Sequence, residues 1–550
     1  MFATGCQTKS AGLFLKTPEF GACVAIVNYG RLRQTEGAHE KTTRISAISR
    51  FPNRRVLFLN AFLLEKTLMH PSRPKKRTKI VATIGPASSD EETLRKMMLS
   101  GLDVVRVNFS HAIHDQLLPV LERIRRLSKE LKISVAILGD LRGPRIRVGR
   151  FPGGSIILDK DTEVKLAPGA EAYIPGTIPV SHSGMASDVK PGDMILLDDG
   201  NLEAQVLEIT PDGLIRTLVI RGGLLKDNKG INLPGVRVSL PSLTQKDFGD
   251  VDFAIANHFD FLALSFVQTA ADVLQLRQHL KVAGSSIGII SKIENKSSID
   301  DIEAIARESD GVMVARGDLA LEVSFSDVPI AQKTIINVCR QQSTPVITAT
   351  QMLESMITSH KPTRAEAADV ANAILDGTDA LMLSAESAAG QYPVESIATM
   401  TEIALRIEGA LSRREVPPLP PLETVQDLEA CVGHAAQMIS RTLSAKVIVT
   451  ATSSGLTAQR VACHRPNIPI IALVSQPGIA RKLSLCWGVE SVLTEEIRGT
   501  NQLVTLALSK SVELYGARPG DIVTITAGTP YNKKGSTNLI KVERVSDLQD

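Results

Sequence analysis

Eight short apolar segments, separated by segments with helical periodicity, most constrain what this chain can fold into. Three precede residue 144, and five follow residue 241. The predicted strands are Lys79–Ile84, Val104–Ser110, Val135–Asp140, Phe261–Phe266, Ile287–Glu294, Gly311–Val314, Val346–Thr350 and Ala380–Ser384. Because parallel strands need long crossover connections, usually helices, the alternation predicts a parallel α/β sheet. Eight such strands predict a (β/α)₈ TIM barrel.

Capping signals between these segments agree with the alternation. Ser89 followed by Glu92 predicts a capping box at a helix start, and Gly101 predicts the end of that helix. Residues 363–366, Thr-Arg-Ala-Glu, predict a second capping box, and Gly377 predicts the end of the helix that follows.

The alternation stops between residues 144 and 241, where Gly, Pro and Asp turns separate short alternating strands such as Leu214–Ile220. This pattern predicts an inserted all-β lid domain. The segment 417–421, Pro-Pro-Leu-Pro-Pro, predicts a stiff linker before an open α/β domain. The predicted organisation is a leader at 1–76, barrel segments at 77–143 and 242–416, the lid domain at 144–241, a linker at 417–424 and a C-terminal α/β domain at 425–550.

Composition excludes several classes of function. Aromatic residues make up 4% of the chain, with a single Trp, which disfavours a stacking surface for single-stranded nucleic acid. No apolar run reaches the length of about 20 residues that crosses a bilayer. The six Cys residues form no CxxC pair. We therefore expect no nucleic-acid partner, no membrane association and reduced thiols.

Positive charge is concentrated in the first 76 residues, which hold 13 Lys and Arg against 4 Asp and Glu, a net of +9. The remainder of the chain is therefore net −6. The basic, Ser-rich leader is typical of a transit peptide to a plastid or mitochondrion. The alternative is a start upstream of the true first residue, Met69, in a cytoplasmic protein. We favour the second interpretation slightly.

Polar residues follow the predicted barrel strands, where barrel enzymes build their active sites. Five strand ends supply them: Arg106, Asn108 and Ser110; Asp140; Lys292 and Glu294; Asp318; and Thr348 and Thr350. A buried Lys292–Glu294 ion pair that only holds strands together would also explain one of these ends. Polar residues at five ends favour an active site.

The residue types suggest phosphate chemistry. Glu294 and Asp318 offer the hard oxygen ligands that Mg²⁺ prefers. Arg106 and Arg147 present donor forks that match phosphate. Lys292 can stabilise a transferring phosphoryl group. Gly317 permits close approach of the backbone to a ligand, and Thr350 can orient a carboxylate or relay a proton.

Six motifs together resemble pyruvate kinase over residues 77–545. They are Lys79-Ile-Val-Ala-Thr-Ile-Gly-Pro86, Arg106-Val-Asn-Phe-Ser-His111, Ile289-Ile-Ser-Lys-Ile-Glu-Asn295, Met313-Val-Ala-Arg-Gly-Asp318, Ala349-Thr-Gln-Met-Leu-Glu-Ser-Met356 and Pro362-Thr-Arg-Ala-Glu366. The resemblance implies the glycolytic transfer of a phosphoryl group from phosphoenolpyruvate to ADP, giving pyruvate and ATP, in a homotetramer.

The resemblance also implies roles for individual residues. Lys292 and Thr350 would be catalytic, and Glu294 and Asp318 would hold Mg²⁺. Phosphoenolpyruvate would be bound by Arg106, Lys292, Gly317, Asp318 and Thr350. ADP or ATP would be contacted by Asn108, Phe109, Ser110, His111, Arg147 and Lys229, the last of these on the lid domain.

The family's monovalent-cation site corresponds to Asn108, Ser110, Asp140 and the backbone of Leu141. Many members carry Glu at position 145, a residue tied to potassium dependence, whereas this chain has Arg145. A fixed positive charge there can replace the ion. We therefore expect K⁺ to be dispensable. Ala320 stands where the family usually has glycine, and we expect a small effect because it adds only a methyl group.

In the C-terminal domain, Thr452, Ser453, Ser454, Gly455 and Thr457 follow a predicted strand and precede a helix. They resemble the family's allosteric phosphate loop, which implies a phosphorylated effector; a plain helix cap is the alternative.

Two other functions stay open at this stage. One is another metal-dependent barrel enzyme acting on enolpyruvate, which would need no nucleotide lid. The other is a non-catalytic effector-binding homologue, which we would expect to have lost Lys292, Glu294, Asp318 or Thr350.

Overall fold

The computed structural model describes residues 73–170, 172–411, 427–531 and 536–546. The predicted linker and residues 1–72 of the leader lie outside the described residues. Residues just before the predicted boundary at 77 pack against the barrel, because buried Lys76 and Arg73 both pair with Asp103. The described body thus includes four residues that we had assigned to the leader.

The first half of the barrel alternates strands and helices as predicted. Its elements are β1 (Lys79–Thr83), the helix Glu91–Ser100, β2 (Val104–Asn108), the helix His114–Leu131 and β3 (Ala136–Asp140). The predicted cap of the first helix was wrong by one residue, because Asp90, not Ser89, accepts a hydrogen bond from the Thr93 amide. Gly101 ends that helix at a φ of 125°, which glycine adopts most readily.

The inserted domain is dominated by β structure and has its own apolar core. Its strands are β4 (Ser155–Leu158), β5 (Glu163–Pro168), β6 (Thr177–Val180), β7 (Met194–Leu197), β8 (Leu202–Ile209), β9 (Ile215–Arg221), β10 (Gly223–Lys226) and β11 (Ile231–Asn232). Six of them form a sheet in the order β11-β7-β8-β9-β5-β6, and β4 pairs with β10. A 3₁₀ turn, Pro152–Gly154, and a short helix, Met185–Asp188, complete the domain.

The second half of the barrel supplies five more strands: β12 (Phe261–Leu264), β13 (Gly288–Ile293), β14 (Gly311–Ala315), β15 (Val346–Ala349) and β16 (Ala380–Leu383). The helices around them are Gln245–Ala256, Ala270–Val282, Lys296–Asp300, Ile302–Glu308, Arg316–Glu322, Val328–Gln342, Arg364–Asp376, Ala385–Ala388 and Pro393–Leu411, with a 3₁₀ turn at Glu354–Ile357. The predicted capping box of Thr363 and Glu366 is confirmed, as is the end of that helix at Gly377.

The eight strands close into a parallel barrel in the order β1-β16-β15-β14-β13-β12-β3-β2. Most of their residues are buried on both faces, as expected of strands enclosed by helices. The (β/α)₈ prediction is therefore confirmed. The carboxyl ends of all eight strands lie at one end of the barrel.

The C-terminal domain is a five-stranded sheet in the order β19-β18-β17-β20-β21. Its strands are β17 (Val447–Ala451), β18 (Ile470–Val474), β19 (Val489–Leu493), β20 (Ile522–Gly528) and β21 (Thr537–Arg544), of which β21 runs antiparallel to β20. Helices Leu428–Thr442, Leu456–Ala462, Pro477–Lys482 and Thr500–Tyr515 and a 3₁₀ turn, Leu483–Leu485, accompany them. We predicted an open α/β domain, but not β19 or β21. In the described part of the chain, no helix has the length and apolarity that a bilayer span requires.

Candidate active site

A cavity of about 480 Å³ opens at the carboxyl ends of the barrel strands and reaches the inserted domain. It is lined by Arg106, Asn108, Ser110, His111, Asp140, Leu141, Arg142, Arg145, Arg147, Asn228, Ser265, Phe266, Lys292, Glu294 and Asp318. Most of the residues predicted from the sequence therefore meet in one place. Arg142, Asn228, Ser265 and Phe266 were not among them.

Lys292 lies at the centre of a hydrogen-bonded network of acidic groups. Its Nζ lies 2.7 Å from Glu294 Oε1 and 3.3 Å from Asp140 Oδ1, and it donates to Ser265 Oγ at 2.7 Å. Burial alone would lower the pKa of Lys292, but the carboxylates of Asp140, Glu294 and Asp318 outweigh it and raise the pKa. Lys292 therefore carries a positive charge whose position is fixed at the wall of the cavity.

Arg106 is held rigidly on the opposite side of Asp140. Its Nε donates to Asp140 Oδ2 at 2.7 Å, and its second guanidinium nitrogen donates to Thr83 Oγ1 at 2.8 Å. Burial would raise the pKa of Asp140, but Lys292 and Arg106 together lower it. Asp140 thus fixes the positions of two cations that face the cavity.

Glu294 and Asp318 form an acidic pair suited to a divalent metal. Glu294 is 2% exposed, and its Oε2 accepts from the Phe266 amide at 2.7 Å. Burial raises the pKa of Glu294; Lys292 opposes this, and the charge of Asp318 adds to it. A cation between the two carboxylates would relieve that repulsion. Among the described residues, no group of three or more His, Cys, Asp or Glu side chains is arranged to hold a metal ion.

Asp318 and Gly317 lie in the first turn of the helix Arg316–Glu322, not at the end of β14 as predicted. The Gly317 amide donates to Thr350 Oγ1 at 2.9 Å. Thr350 has a φ of 69° and the next residue, Gln351, a φ of 53°, which are unusual for residues other than glycine. This local strain puts the Thr350 hydroxyl beside the turn that carries Asp318.

Arg316, which had no predicted role, holds this strained segment. Its guanidinium donates to the carbonyl oxygens of Thr350 at 2.6 Å and Gln351 at 3.2 Å, and it pairs with Asp369 at 2.8 Å. Arg316 is 8% exposed. The planar five-donor guanidinium can satisfy several acceptors at once, which a lysine cannot do.

Comparison with known protein families agrees with this geometry. The pyruvate kinase barrel-domain family model matches residues 75–397, and the pyruvate kinase alpha/beta-domain model matches residues 430–543. The chain belongs to the pyruvate kinase family. It is 43% identical to the pyruvate kinase of Geobacillus stearothermophilus over 476 residues, which are 86% of this chain and 81% of that protein. It is 42% identical to the pyruvate kinase of Staphylococcus aureus strain MRSA252 over 473 residues, with the same two coverages.

A solved structure of a pyruvate kinase from Cryptosporidium parvum has the same architecture. The TM-score is 0.78 at 36% sequence identity, and the match covers 86% of this chain and 96% of that one. Membership of the pyruvate kinase family implies a divalent metal, and Glu294 and Asp318 are the carboxylates that fit it here.

The predicted nucleotide-contacting residues differ in how far their side chains can reach a bound nucleotide. Arg147 and His111 line the cavity, and Lys229 on the inserted domain pairs with Asp198 at 2.6 Å. The Phe109 side chain is fully buried and packs against Phe259 with ring centroids 5.7 Å apart. Phe109 can therefore face a nucleotide only through its backbone.

Two contacts involve the residues of the predicted monovalent-cation site or the cavity around it. The Leu141 carbonyl accepts a hydrogen bond from Ser265 Oγ at 2.7 Å. Arg145 lines the same cavity, and its guanidinium lies 2.6 Å from the exposed carboxylate of Asp199 on the inserted domain. Arg145 thus brings a cationic group to the cavity that the predicted ligands of the monovalent ion also line.

Two strand-end predictions need correction. Thr348 does not face the cavity, because it is fully buried and its Oγ1 donates to Thr378 Oγ1 at 3.0 Å, just before β16. Ser110 does not extend β2, which ends at Asn108. Ser110 lines the cavity from a turn, and its amide donates to Asn108 Oδ1 at 3.1 Å.

The predicted effector loop lies against a second cavity, in the C-terminal domain. Gly455 has a φ of 92°, and its amide donates to Thr452 Oγ1 at 2.9 Å. Hydroxyl groups dominate the lining: Thr452, Ser453, Ser454, Thr457, Ser475, Thr494, Tyr531, Ser536 and Thr537. The described lining also includes Glu429 and Glu495, but no Lys or Arg.

Proposed function

We propose that this chain catalyses Mg²⁺-dependent phosphoryl transfer from phosphoenolpyruvate to ADP, giving pyruvate and ATP in glycolysis. The observation that carries the proposal is the position of Lys292, a largely shielded cation among Asp140, Glu294 and Asp318 at the cavity where the barrel meets the inserted domain. The names of the relatives support the same reaction.

Glu294 and Asp318 would hold the Mg²⁺ ion, which would neutralise developing charge on the substrate oxygens. Arg106 and Lys292 bind the phosphate of phosphoenolpyruvate and keep its phosphorus in place. The phosphorus–oxygen bond to the enolate breaks as a bond forms to a terminal oxygen of ADP. Lys292 stabilises the charge that spreads over the transferring group, because its position and protonation are already fixed.

The enolate left behind must take up a proton at its methylene carbon to become pyruvate. Thr350 would relay that proton, and the contact of its hydroxyl with the Gly317 amide, next to Asp318, supports this role. Arg316 keeps this hydroxyl in position by holding the Thr350 carbonyl. Arg147 and Lys229 would bind the ADP phosphates, and closure of the inserted domain would exclude water.

Four further assignments are part of the proposal. K⁺ is dispensable because Arg145 supplies the charge. The hydroxyl-lined cavity of the C-terminal domain binds a phosphorylated effector. The protein is a cytoplasmic homotetramer, and association would cover exposed apolar side chains such as Phe325 and Ile330. N-terminal sequencing of the mature protein tests the alternative, in which the leader at residues 1–76 is a transit peptide removed on import into a plastid or mitochondrion.

The experiment is a pyruvate assay with phosphoenolpyruvate and ADP on the chain starting at Met69. Its arms contain Mg²⁺ alone, Mg²⁺ with KCl, and EDTA. Pyruvate formation in both Mg²⁺ arms, lost in EDTA, would support the reaction and the role of Arg145. Activity only with KCl would keep the reaction and reject potassium independence. No turnover by folded protein in any arm would reject the proposed function.

A further inference from the structure

The inserted domain touches the helix Arg316–Glu322 at two neighbouring points. The Asn232 amide nitrogen on β11 donates to Glu322 Oε1 at 3.3 Å. Gly200, in the turn after β7, lies against Leu321, since a methyl group on Gly200 would be 3.4 Å from the Leu321 side chain. Because β11 and β7 are paired, both contacts belong to one rigid part of the inserted domain.

The helix that receives these contacts also carries Asp318, one of the two proposed metal ligands. Glu322 follows Asp318 by four residues, so the two side chains lie on the same face, one turn apart. Gly317, in the same first turn, is bonded to Thr350. A helix of two turns moves as a unit. A displacement of Glu322 therefore displaces the Asp318 carboxylate and the Gly317 amide.

The same part of the inserted domain also pairs with two cations, Lys229 and Arg145, of which Lys229 is proposed to bind the ADP phosphates. The turn after β7 contains Asp198, which pairs with Lys229, and Asp199, which pairs with Arg145. A ligand that draws Lys229 and Arg145 away from this turn changes the constraints on β7 and β11. The contact with Glu322 is where that change reaches the metal-site helix.

The Glu322 contact is partly shielded from water. Burial is the main reason that the pKa of Glu322 is raised to about 7; hydrogen bonds from the Asn232 amide and the Leu233 backbone oppose it, and the charge of Asp318 contributes to it. Asn232 is 8% exposed, and its Oδ1 is buried without a hydrogen-bond partner. Burying such groups is costly unless they are paired, so the contact is sensitive to small shifts between the domains.

We infer that Glu322 is a positioning residue that couples nucleotide binding by the inserted domain to metal and enolate binding at Asp318. This inference rests on the proposed function. Its consequence is a reciprocal affinity effect, in which a bound enolate analogue tightens ADP binding and ADP tightens analogue binding by the same factor.

The test is calorimetric titration of ADP into the full chain at saturating free Mg²⁺, with and without oxalate, a planar dicarboxylate that resembles the enolate. The ratio of the two ADP dissociation constants is the coupling factor. Glu322→Ala and Asn232→Ala remove the contact, whereas Glu322→Gln keeps an acceptor for Asn232. Glu208→Ala is the matched control. It also removes a paired carboxylate, but one on the exposed surface of the inserted domain, where Glu208 pairs with Arg216.

We expect the wild-type chain, Glu322→Gln and Glu208→Ala to show tighter ADP binding with oxalate. In Glu322→Ala and Asn232→Ala, the coupling factor should fall by about five- to tenfold, within the usual range for coupled sites. Equal weakening of ADP binding with and without oxalate would overturn the inference, since that is the effect of a purely structural residue. Absence of both ADP and oxalate binding in the wild-type chain would instead reject the proposed site.

Discussion

Replacing Lys292 by Met removes the cation on which the proposed mechanism depends, while keeping an unbranched side chain only one atom shorter. Asp140 would remain paired with Arg106 at 2.7 Å, whereas Glu294 would lose its partner at 2.7 Å. Because burial already raises the pKa of Glu294, this carboxyl group can take up a proton and limit the damage. We therefore expect a stability loss of about 2 kcal/mol, less than the roughly 3–5 kcal/mol for a broken buried ion pair.

The effect on turnover should be much larger. A fixed positive charge on a transferring phosphoryl group is worth about 10³–10⁵ in rate, as known for arginine fingers. That range corresponds to about 4–7 kcal/mol of activation free energy. We expect kcat of Lys292→Met to fall by at least about 10³. Divalent metal binding should persist, because Asp318 is unchanged and a bound cation displaces the proton that Glu294 takes up in the metal-free variant.

The assay compares steady-state pyruvate formation, Mn²⁺ binding and thermal unfolding of Lys292→Met with those of Lys333→Met. Lys333 is an exposed lysine that also pairs with an aspartate, Asp376, far from the proposed chemistry. Its variant should retain wild-type turnover. A folded Lys292→Met enzyme with kcat reduced less than about tenfold would refute the role of Lys292, since that loss amounts to only about 1.4 kcal/mol.

Three other substitutions test separate parts of the account. Arg316→Lys should lower kcat by about tenfold, because a lysine cannot hold both the Thr350 carbonyl and Asp369. Arg145→Glu should create a KCl requirement of about tenfold or more, the equivalent of roughly 1.4 kcal/mol. Burial, and then positive neighbours such as His434, lower the pKa of His464 from 6.5 to about 4. The free energy of unfolding should therefore fall as pH drops from 6.5 to about 4, and His464→Gln should flatten this dependence.

Each result has a matched check. For Arg145→Glu, pyruvate assays at constant ionic strength, with choline chloride in place of KCl, separate a specific effect of K⁺ from a general salt effect. Turnover of this variant that KCl does not change would contradict the assignment of Arg145 as the substitute for K⁺. Wild-type kcat in Arg316→Lys would show that Thr350 needs no such support. Urea unfolding at several pH values measures the His464 effect. If the free energy of unfolding depends on pH equally in the variant and the wild type, the assignment to His464 is excluded.

The barrel was predictable because most of its strands are short apolar runs followed by a polar residue, a pattern set by burial on both faces. Lys292 and Glu294 could be placed on one side of a strand from their spacing alone. Two strands of the C-terminal domain escaped prediction. β19 is half exposed, and β21 is an edge strand with alternating exposure, so neither is a continuous apolar run.

The parts of the site that sequence did not predict depend on contacts between distant segments. Ser265 reaches Lys292 and the Leu141 carbonyl from a neighbouring strand. Thr348 shares the period-two spacing of Thr350, but its hydroxyl is buried and bonded to Thr378, just before β16. Arg316 acts on a backbone segment more than 30 residues away, whose positive φ angles no local pattern revealed.

The most direct test of the central claim is a single-turnover experiment with ³²P-labelled phosphoenolpyruvate, ADP and Mg²⁺ at excess enzyme. The account predicts that the label appears in ATP, with one pyruvate formed per labelled ATP, and that EDTA abolishes the transfer. Label released as inorganic phosphate, or no transfer by folded protein that binds both substrates, would contradict phosphoryl transfer at this site.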